Sequence, residues 1–485
     1  MSSIKLIDII KTLSPQEFRR FGKYINSPFF NKDKSIIKLY SFIKRNYSKL
    51  GNIEITREKA YKFIYPEKKY NDARIRFLMA KLTKLLEEYL IYLQINENKH
   101  FNDIRLLAAI SEKRLSKYFY YYSKRAKNNL EKFPYRNFTY YSNKHELDFR
   151  IHNFSVHTHK NIGIDTLQQQ SSSLDLFYTI KKLSYSADMI QRRDYFRVKY
   201  KTTFLNPLLR YLKKIDNSSD GKLYNKYPTI GIHYLLLLLL QEKDGDKYYD
   251  KLKLLLNKHH KLFNLKEASY LYNIITNYLN FKIYTGDLHY TSEVFEIYKR
   301  ILKENYLHIG KYISQYNYHN VASAGILLKK YNWVEDFLVK YKEQVDPKFR
   351  ENIFNLEYAW LLYSKKEYEK AIKTLKKVED INYNYYLETR KLLMRIYYET
   401  YQIVELFSLI DTFNHFLKRS KLLSENIKND FLNYSTFIGR ILKIRIKEKD
   451  NISEVKKLII GCKNVDGKDW LLEKVYELEK ENKNN

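Results

Sequence analysis

A chain of 485 residues, 44% of them apolar, is too long for one compact core and too apolar for wholesale disorder, so it implies several domains or one extended array. Twelve glycines and seven prolines are too few for the turns of a large β-fold, and the single cysteine, Cys462, excludes an internal disulfide framework and a cysteine-built zinc site. The net charge of +33 admits a nucleic-acid partner, but lysine outnumbers arginine 66 to 22, which fits the composition of an AT-rich genome better than selection for the bidentate arginine fork.

Residues 1–100 read as a basic helical domain. The opening "MSSIKLIDIIKTLSPQEF" has neither a long apolar core nor a small-residue cleavage site, so no signal peptide is expected. Ser14-Pro15 is an N-cap followed by proline at the first helical position, Thr56 caps "REKAYKFIY", and Asn71 or Asp72 opens a long helix. On that helix Ile75, Leu78, Leu82, Leu85, Leu86 and Tyr89 form the predicted buried stripe, with Arg74, Arg76, Lys81 and Lys84 around it. The two successive helices allow a helix-turn-helix reading, in which those four residues and Arg19, Arg20 and Lys23 would meet phosphates. Residues 1–150 hold 32 basic and 15 acidic side chains, a net +17, against +4 for 351–485, so the front of the chain is where a nucleic-acid surface is expected.

Residues 101–220 continue as a helical middle region, with "KFPYRN", "KNIGID" and "KIDNSSDGKLYNKYP" as breaks and "QQQSSSLD" at 168–175 as a loop or helix start. The run "YFYYYSKRAK" at 118–127 could stack bases, but consecutive helical residues face different directions, so packing is the expected use of its tyrosines. His145, His152 and His159 recur every seven residues; each step rises about 10.5 Å on a helix, so they cannot clasp one metal.

Residues 221–485 read as helical repeats with C-terminal capping helices. "IHYLLLLLLQ" at 232–241 is about half the length needed to span a bilayer and reads as a buried helix, so no membrane insertion is expected. "AWLLYSKKEYEKAIKTLKK" at 359–377, moved back by 34 residues, falls on "GILLKKYNWVEDFLVKYKE" at 325–343, pairing Gly325 with Ala359, Leu328 with Leu362, Val334 with Tyr368, Phe337 with Ala371 and Tyr341 with Leu375. A 34-residue period describes two antiparallel helices and a turn, with glycine or alanine where the helices cross closely. Ala371, Leu375 and Val378 form the expected inward stripe of the second helix, and about four degenerate units are readable from 266 to 420. These units resemble tetratricopeptide repeats over about a third of the chain, with Val321 and Asn355 where the family's early tryptophan stands. The resemblance implies that first helices line a concave wall, which would place Lys329, Lys330, Trp360 and Tyr363 in a peptide-binding groove.

"GCKNVDGKD" at 461–469 mimics a phosphate-binding loop but has five residues between its glycines and Asp469 where Ser or Thr belongs, so it is rejected. Cys462 has no convincing histidine partner, and carboxylate pairs such as Glu87-Glu88 sit on polar helix faces. Three stretches, "EFRRFGKYINSPFFNKDKSIIKLYSFI", "KYNDARIRFLMAKLTKLLEEYL" and "SLDLFYTIKKLSYSADMIQRRDYF", resemble an uncharacterised family of long helical proteins of Bacteroidota-type bacteria. That resemblance implies a cytoplasmic α-array and brings no catalytic residues. The expectation is an all-α fold, an extended tetratricopeptide-like solenoid with a helical N-terminal cap domain. It would act without enzymatic activity, cofactor or metal as a scaffold for a protein or peptide partner, with nucleic-acid binding by the basic region as the alternative.

Overall fold

Side-chain caps set the helix starts that the sequence announces. Ser14 Oγ accepts from the Glu17 amide at 3.2 Å while Glu17 Oε2 accepts from the Ser14 amide at 2.7 Å, a reciprocal box with Pro15 in the first turn. Thr56 caps on Lys59 and Asn71 on Arg74 in the same way. The computed structural model describes residues 5–47, 56–97, 99–158, 165–196, 199–217, 222–241, 245–284, 286–309, 312–421, 423–448, 451–462 and 464–484. Its described residues form 24 α-helices and one two-residue antiparallel pairing, β1 (His308–Ile309) with β2 (Tyr312–Ile313).

The chain divides into two compact units, residues 1–181 and 182–485, with the division inside one helix. The first unit contains α1 (Lys5–Thr12), α2 (Pro15–Ile25), α3 (Lys34–Arg45), α4 (Arg57–Ile64), α5 (Asp72–Asn96), α6 (Asn102–Glu112), α7 (Ser116–Glu131), α8 (Phe138–His157) and the start of α9 (Thr166–Phe196). Helices α1 to α5 share one core, from Leu6 to Tyr89, in which every residue of the predicted α5 stripe is buried together with Met79. The polar run at 168–175 is helical, in α9. In α7, Phe119 is buried and stacked on Phe154 at 3.7 Å, whereas Tyr118 and Tyr121 are exposed, so the tyrosine run divides between faces.

The second unit contains the rest of α9 and then α10 (Leu205–Asp216), α11 (Lys222–Lys226), α12 (Pro228–Gln241), α13 (Asp246–His259), α14 (Leu265–Tyr284), α15 (Tyr290–Lys303), α16 (Gln315–Leu327), α17 (Tyr331–Tyr341), α18 (Arg350–Ser364) and α19 (Tyr368–Leu375). It ends with α20 (Tyr383–Glu399), α21 (Ile403–Arg419), α22 (Glu425–Arg445), α23 (Ile452–Gly461) and α24 (Lys468–Asn484). The leucine-rich α12 is buried from Thr229 to Leu239, and among the described residues no helix is long and apolar enough to cross a membrane. Consecutive helices pack in pairs: α12 on α13, α14 on α15, α16 on α17, α18 on α19 and α20 on α21. The first helices of successive pairs also touch, α16 with α18, α18 with α20 and α20 with α22.

Small residues sit where these helices meet. Ala359 and Ala371 are fully buried, and a Cβ on Gly325 would stand 2.5 Å from Val334 Cγ2 on the paired helix. One turn closes three hairpins. The amides of Lys330, Glu367 and Gln402 each donate at 2.9 Å to a carbonyl five residues back, on Gly325, Leu362 and Tyr397. Lys329, Lys366 and Tyr401 occupy the left-handed position of each turn, at φ of 54°, 63° and 59°. Helix α19 stops at Leu375, so Val378 lies in the following turn, not on the helical stripe expected for it.

Candidate functional site

The touching first helices put a row of polar and aromatic side chains on one side of the second unit. At 100° per residue, Glu388, Lys391, Arg395 and Glu399 occupy one narrow stripe of α20, and Glu357, Trp360 and Tyr363 lie along one flank of α18. His319 and Ser323 extend the row on α16; Tyr434 of α22 and Asp466, Gly467, Trp470 and Lys474 at the start of α24 close its other end.

Buried charges in this row are paired. Lys391 Nζ lies 2.8 Å from Asp466 Oδ2 and 3.1 Å from Glu388 Oε2, and Lys474 Nζ bonds Glu399 at 2.9 Å and Glu477 at 3.0 Å. Burial disfavours the charged lysine, but Asp466 and Glu388 outweigh it and hold Lys391 above the ordinary lysine range; Glu399 and Glu477 do the same for Lys474. Burial would raise the Asp466 carboxyl, and the Lys391 ammonium overrides it and keeps Asp466 below the usual carboxylate range. His319 Nδ1 lies 2.7 Å from Oε1 of the fully buried Glu357. Burial of the imidazole opposes its charge, and the attraction and hydrogen bond of Glu357 prevail, lifting it to about 9.

Three groups in the row differ from the rest. Arg395 has its guanidinium carbon 5.2 Å from the Trp360 ring centre and 4.9 Å from that of Trp470, so the planar cation is flanked by two indoles. Its Nε donates to the Tyr434 hydroxyl at 3.4 Å, while neither Nη has an acceptor, and no carboxylate lies within 4 Å, among the described residues. The Trp360 indole N–H and Glu357 Oε2 are both buried without a hydrogen-bond partner. Gly467, at φ 66°, permits this arrangement: a Cβ there would stand 2.7 Å from Arg395 Nη2. The other indole is anchored, with Trp470 Nε1 donating to Tyr363 Oη at 2.8 Å and that hydroxyl directed to Glu399 at 3.3 Å.

Of the four groove residues expected from the sequence, Trp360 and Tyr363 meet in this row, edge to face at 5.8 Å. Lys329 and Lys330 do not join them. Helix α16 ends at Leu327, Lys329 is the left-handed turn residue and Lys330 precedes α17, so both are exposed in the hairpin turn and off the helix face. The seven expected phosphate contacts Arg19, Arg20, Lys23, Arg74, Arg76, Lys81 and Lys84 are all exposed on α2 and α5. On α5 they do not make one stripe: Arg74 and Lys81 flank the buried face on one side, Arg76 on the other, and Lys84 points away from it. Arg76 is bound to Asp72 at 2.8 Å, Lys81 stands 3.5 Å from Asp33, and Arg74 lies over the Tyr65 ring at 4.5 Å.

His152 Nδ1 lies 2.9 Å from Thr166 Oγ1, and His159 falls outside the described residues. Among the described residues no three His, Cys, Asp or Glu side chains gather as metal ligands. In the 461–469 segment Lys468 Nζ donates to the carbonyls of Ile460 and Cys462 at 2.7 and 3.0 Å, so its ammonium is committed to the backbone. The same segment supplies Asp466 and Gly467 to the row, and Arg395, Lys391, Asp466 and Trp470 are the residues that the sequence reading missed. A signal for part of them was present: Ser323, Glu357 and Lys391 stand one 34-residue period apart, a polar side chain at one position of three successive first helices.

Comparison with protein-family models, curated proteins and solved structures gives no match.

Proposed function

We propose that the second unit is a tetratricopeptide-like solenoid, and that the protein acts as a non-enzymatic scaffold binding a peptide segment of a partner protein along its first helices. The observation that carries this reading is the row itself. Helices α16, α18 and α20 touch in succession and turn His319, Trp360, Lys391 and Arg395 to one side, where a core would have aliphatic residues. A peptide lying across such a row meets aromatic faces and fixed charges from three hairpins at once, the arrangement that gives groove binding its specificity. The dispersed basic residues of α2 and α5 lend no comparable focus to a nucleic-acid partner.

The test is retention of peptides from a pool of random dodecapeptides by the immobilised full-length chain. A recurring sequence pattern is expected, with retention falling at least about tenfold in Trp360→Ala while Lys329→Glu, in the turn, changes it little. An even, patternless retention, or equal retention by Trp360→Ala, overturns the reading.

A further inference from the structure

We propose that the guanidinium of Arg395, held between Trp360 and Trp470, is the seat for one carboxylate group of an acidic peptide. The peptide part of this inference rests on the scaffold reading above; the carboxylate part rests on the geometry around Arg395.

The charge balance of the row singles this residue out. Lys391 has Asp466 and Glu388, Lys474 has Glu399 and Glu477, and His319 has Glu357. Arg395 alone among these cations has no carboxylate within 4 Å among the described residues. A half-buried guanidinium without a counter-ion is costly, because its desolvation is not repaid by an ion pair. The stacking on two indoles and the Tyr434 hydroxyl orient the fork but do not neutralise it. Both Nη nitrogens lack acceptors, and neither is sealed from solvent as the Trp360 indole nitrogen is. Two parallel N–H donors on a planar cation match the two oxygens of a carboxylate.

A single negative charge fits better than a phosphate dianion. The site has one uncompensated positive charge, and the Asp466 carboxylate on the neighbouring Lys391 would repel a second negative charge on the ligand. The carboxylate can come from an aspartate or glutamate side chain or from a chain end, and the two sources differ in whether blocking the peptide terminus removes binding.

The chain reports on this site directly, since two of its three tryptophans flank Arg395. The first measurement titrates the tryptophan fluorescence of the full-length protein with sodium acetate at constant ionic strength, against chloride and against inorganic phosphate. The expected result is a saturable change with acetate, absent with chloride and weaker with phosphate, lost in Arg395→Gln and shifted to higher acetate in Arg395→Lys. Absence of a saturable acetate response in the wild-type protein overturns the seat, whatever the variants do. So does an unchanged response in a folded Arg395→Gln, with folding checked by far-ultraviolet circular dichroism.

The second measurement takes dodecapeptides retained by the chain and resynthesises them with Asp→Asn and Glu→Gln changes, or with an amidated C-terminus. Loss of affinity by about tenfold or more in one of these arms is expected and names the source of the carboxylate. Retention of affinity in every arm overturns the carboxylate seat and leaves the scaffold standing. A saturable acetate response without any retained peptide overturns the scaffold and leaves the seat standing.

Discussion

In the α1–α5 core, buried tyrosines direct their hydroxyls to backbone carbonyls: Tyr40 donates to Phe18 and Tyr89 to Glu17, each at 3.0 Å. Charges there stay outside, as in the exposed Lys5–Glu87 pair. In the second unit tyrosines and cations meet carboxylates instead. Tyr249 donates to Glu293 at 2.9 Å, Tyr358 to Glu335 at 2.9 Å, and Lys391 lies between Asp466 and Glu388. Both arrangements satisfy buried polar groups, but they respond differently to the loss of a partner. A neutral hydroxyl removed from a carbonyl leaves a group that its helix still bonds; a cation removed from a buried carboxylate leaves a charge with no compensation.

The largest break in that comparison is Lys391→Met. With Lys391 and Asp466 both largely withdrawn from water, losing one partner should lower unfolding stability by about 3 kcal/mol. The double variant Lys391→Met/Asp466→Leu should recover most of it. Urea denaturation of the four corners of this cycle measures the coupling, and equal losses in the single and double variants would remove the contrast between the two regions.

Tyr40→Phe is the counterpart in the first unit. It deletes one neutral hydrogen bond while keeping the ring packed on Phe18 and Phe21, so a loss of about 1 kcal/mol is expected. A loss matching that of Lys391→Met would show that the α1–α5 core depends on its tyrosine hydroxyls as heavily as the second unit depends on its ion pairs.

The two kinds of burial also differ in how far the sequence discloses them. Period and caps carry the first: the α5 stripe, the starts at Ser14, Thr56 and Asn71, and the small residues Gly325, Ala359 and Ala371 follow from spacing and side-chain chemistry within one or two turns. The row on α16, α18 and α20 depends on partners far apart in the chain. Lys391 reaches Asp466 across 75 residues and Trp470 reaches Tyr363 across 107, distances over which no local pattern operates. Lys329 was misplaced for a related reason. A 34-residue register fixes which residues are equivalent but not where a helix ends, and α16 ends two residues before Lys329. The all-α class needed only composition; the path of the polar row needed coordinates.

His319 gives the comparison a pH axis. Its folded-state value, raised to about 9, exceeds the ordinary 6.5, so folding favours the protonated ring. The resulting stability is fully present below about pH 6.5 and is lost as pH rises through about 9. The imidazole side chain is 39% exposed, so solvent screening keeps the contribution under about 1 kcal/mol. Urea midpoints measured between pH 6 and pH 9.5 should fall with pH in the wild type more steeply than in Glu357→Gln. Equal slopes would mean that the pair contributes nothing to folding.

The smallest effect tests the turns that hold the row together. Lys366 takes the left-handed conformation between α18 and α19 with a side chain whose Cβ disfavours it, while the amides of Lys366 and Glu367 bond Tyr363 and Leu362 at 2.8 and 2.9 Å. Glycine adopts that conformation without the Cβ penalty but loses more chain entropy on folding, so Lys366→Gly should stabilise by about 0.5 kcal/mol, the difference of two opposing effects. The same change at the solvent-facing position 365, where α18 ends in a right-handed conformation, should destabilise, because glycine gains nothing there and the Lys365–Glu335 ion pair at 2.6 Å is lost. Opposite signs at adjacent lysines in thermal melts would place the strain in the backbone of the turn; the same sign at both would place it in their charges.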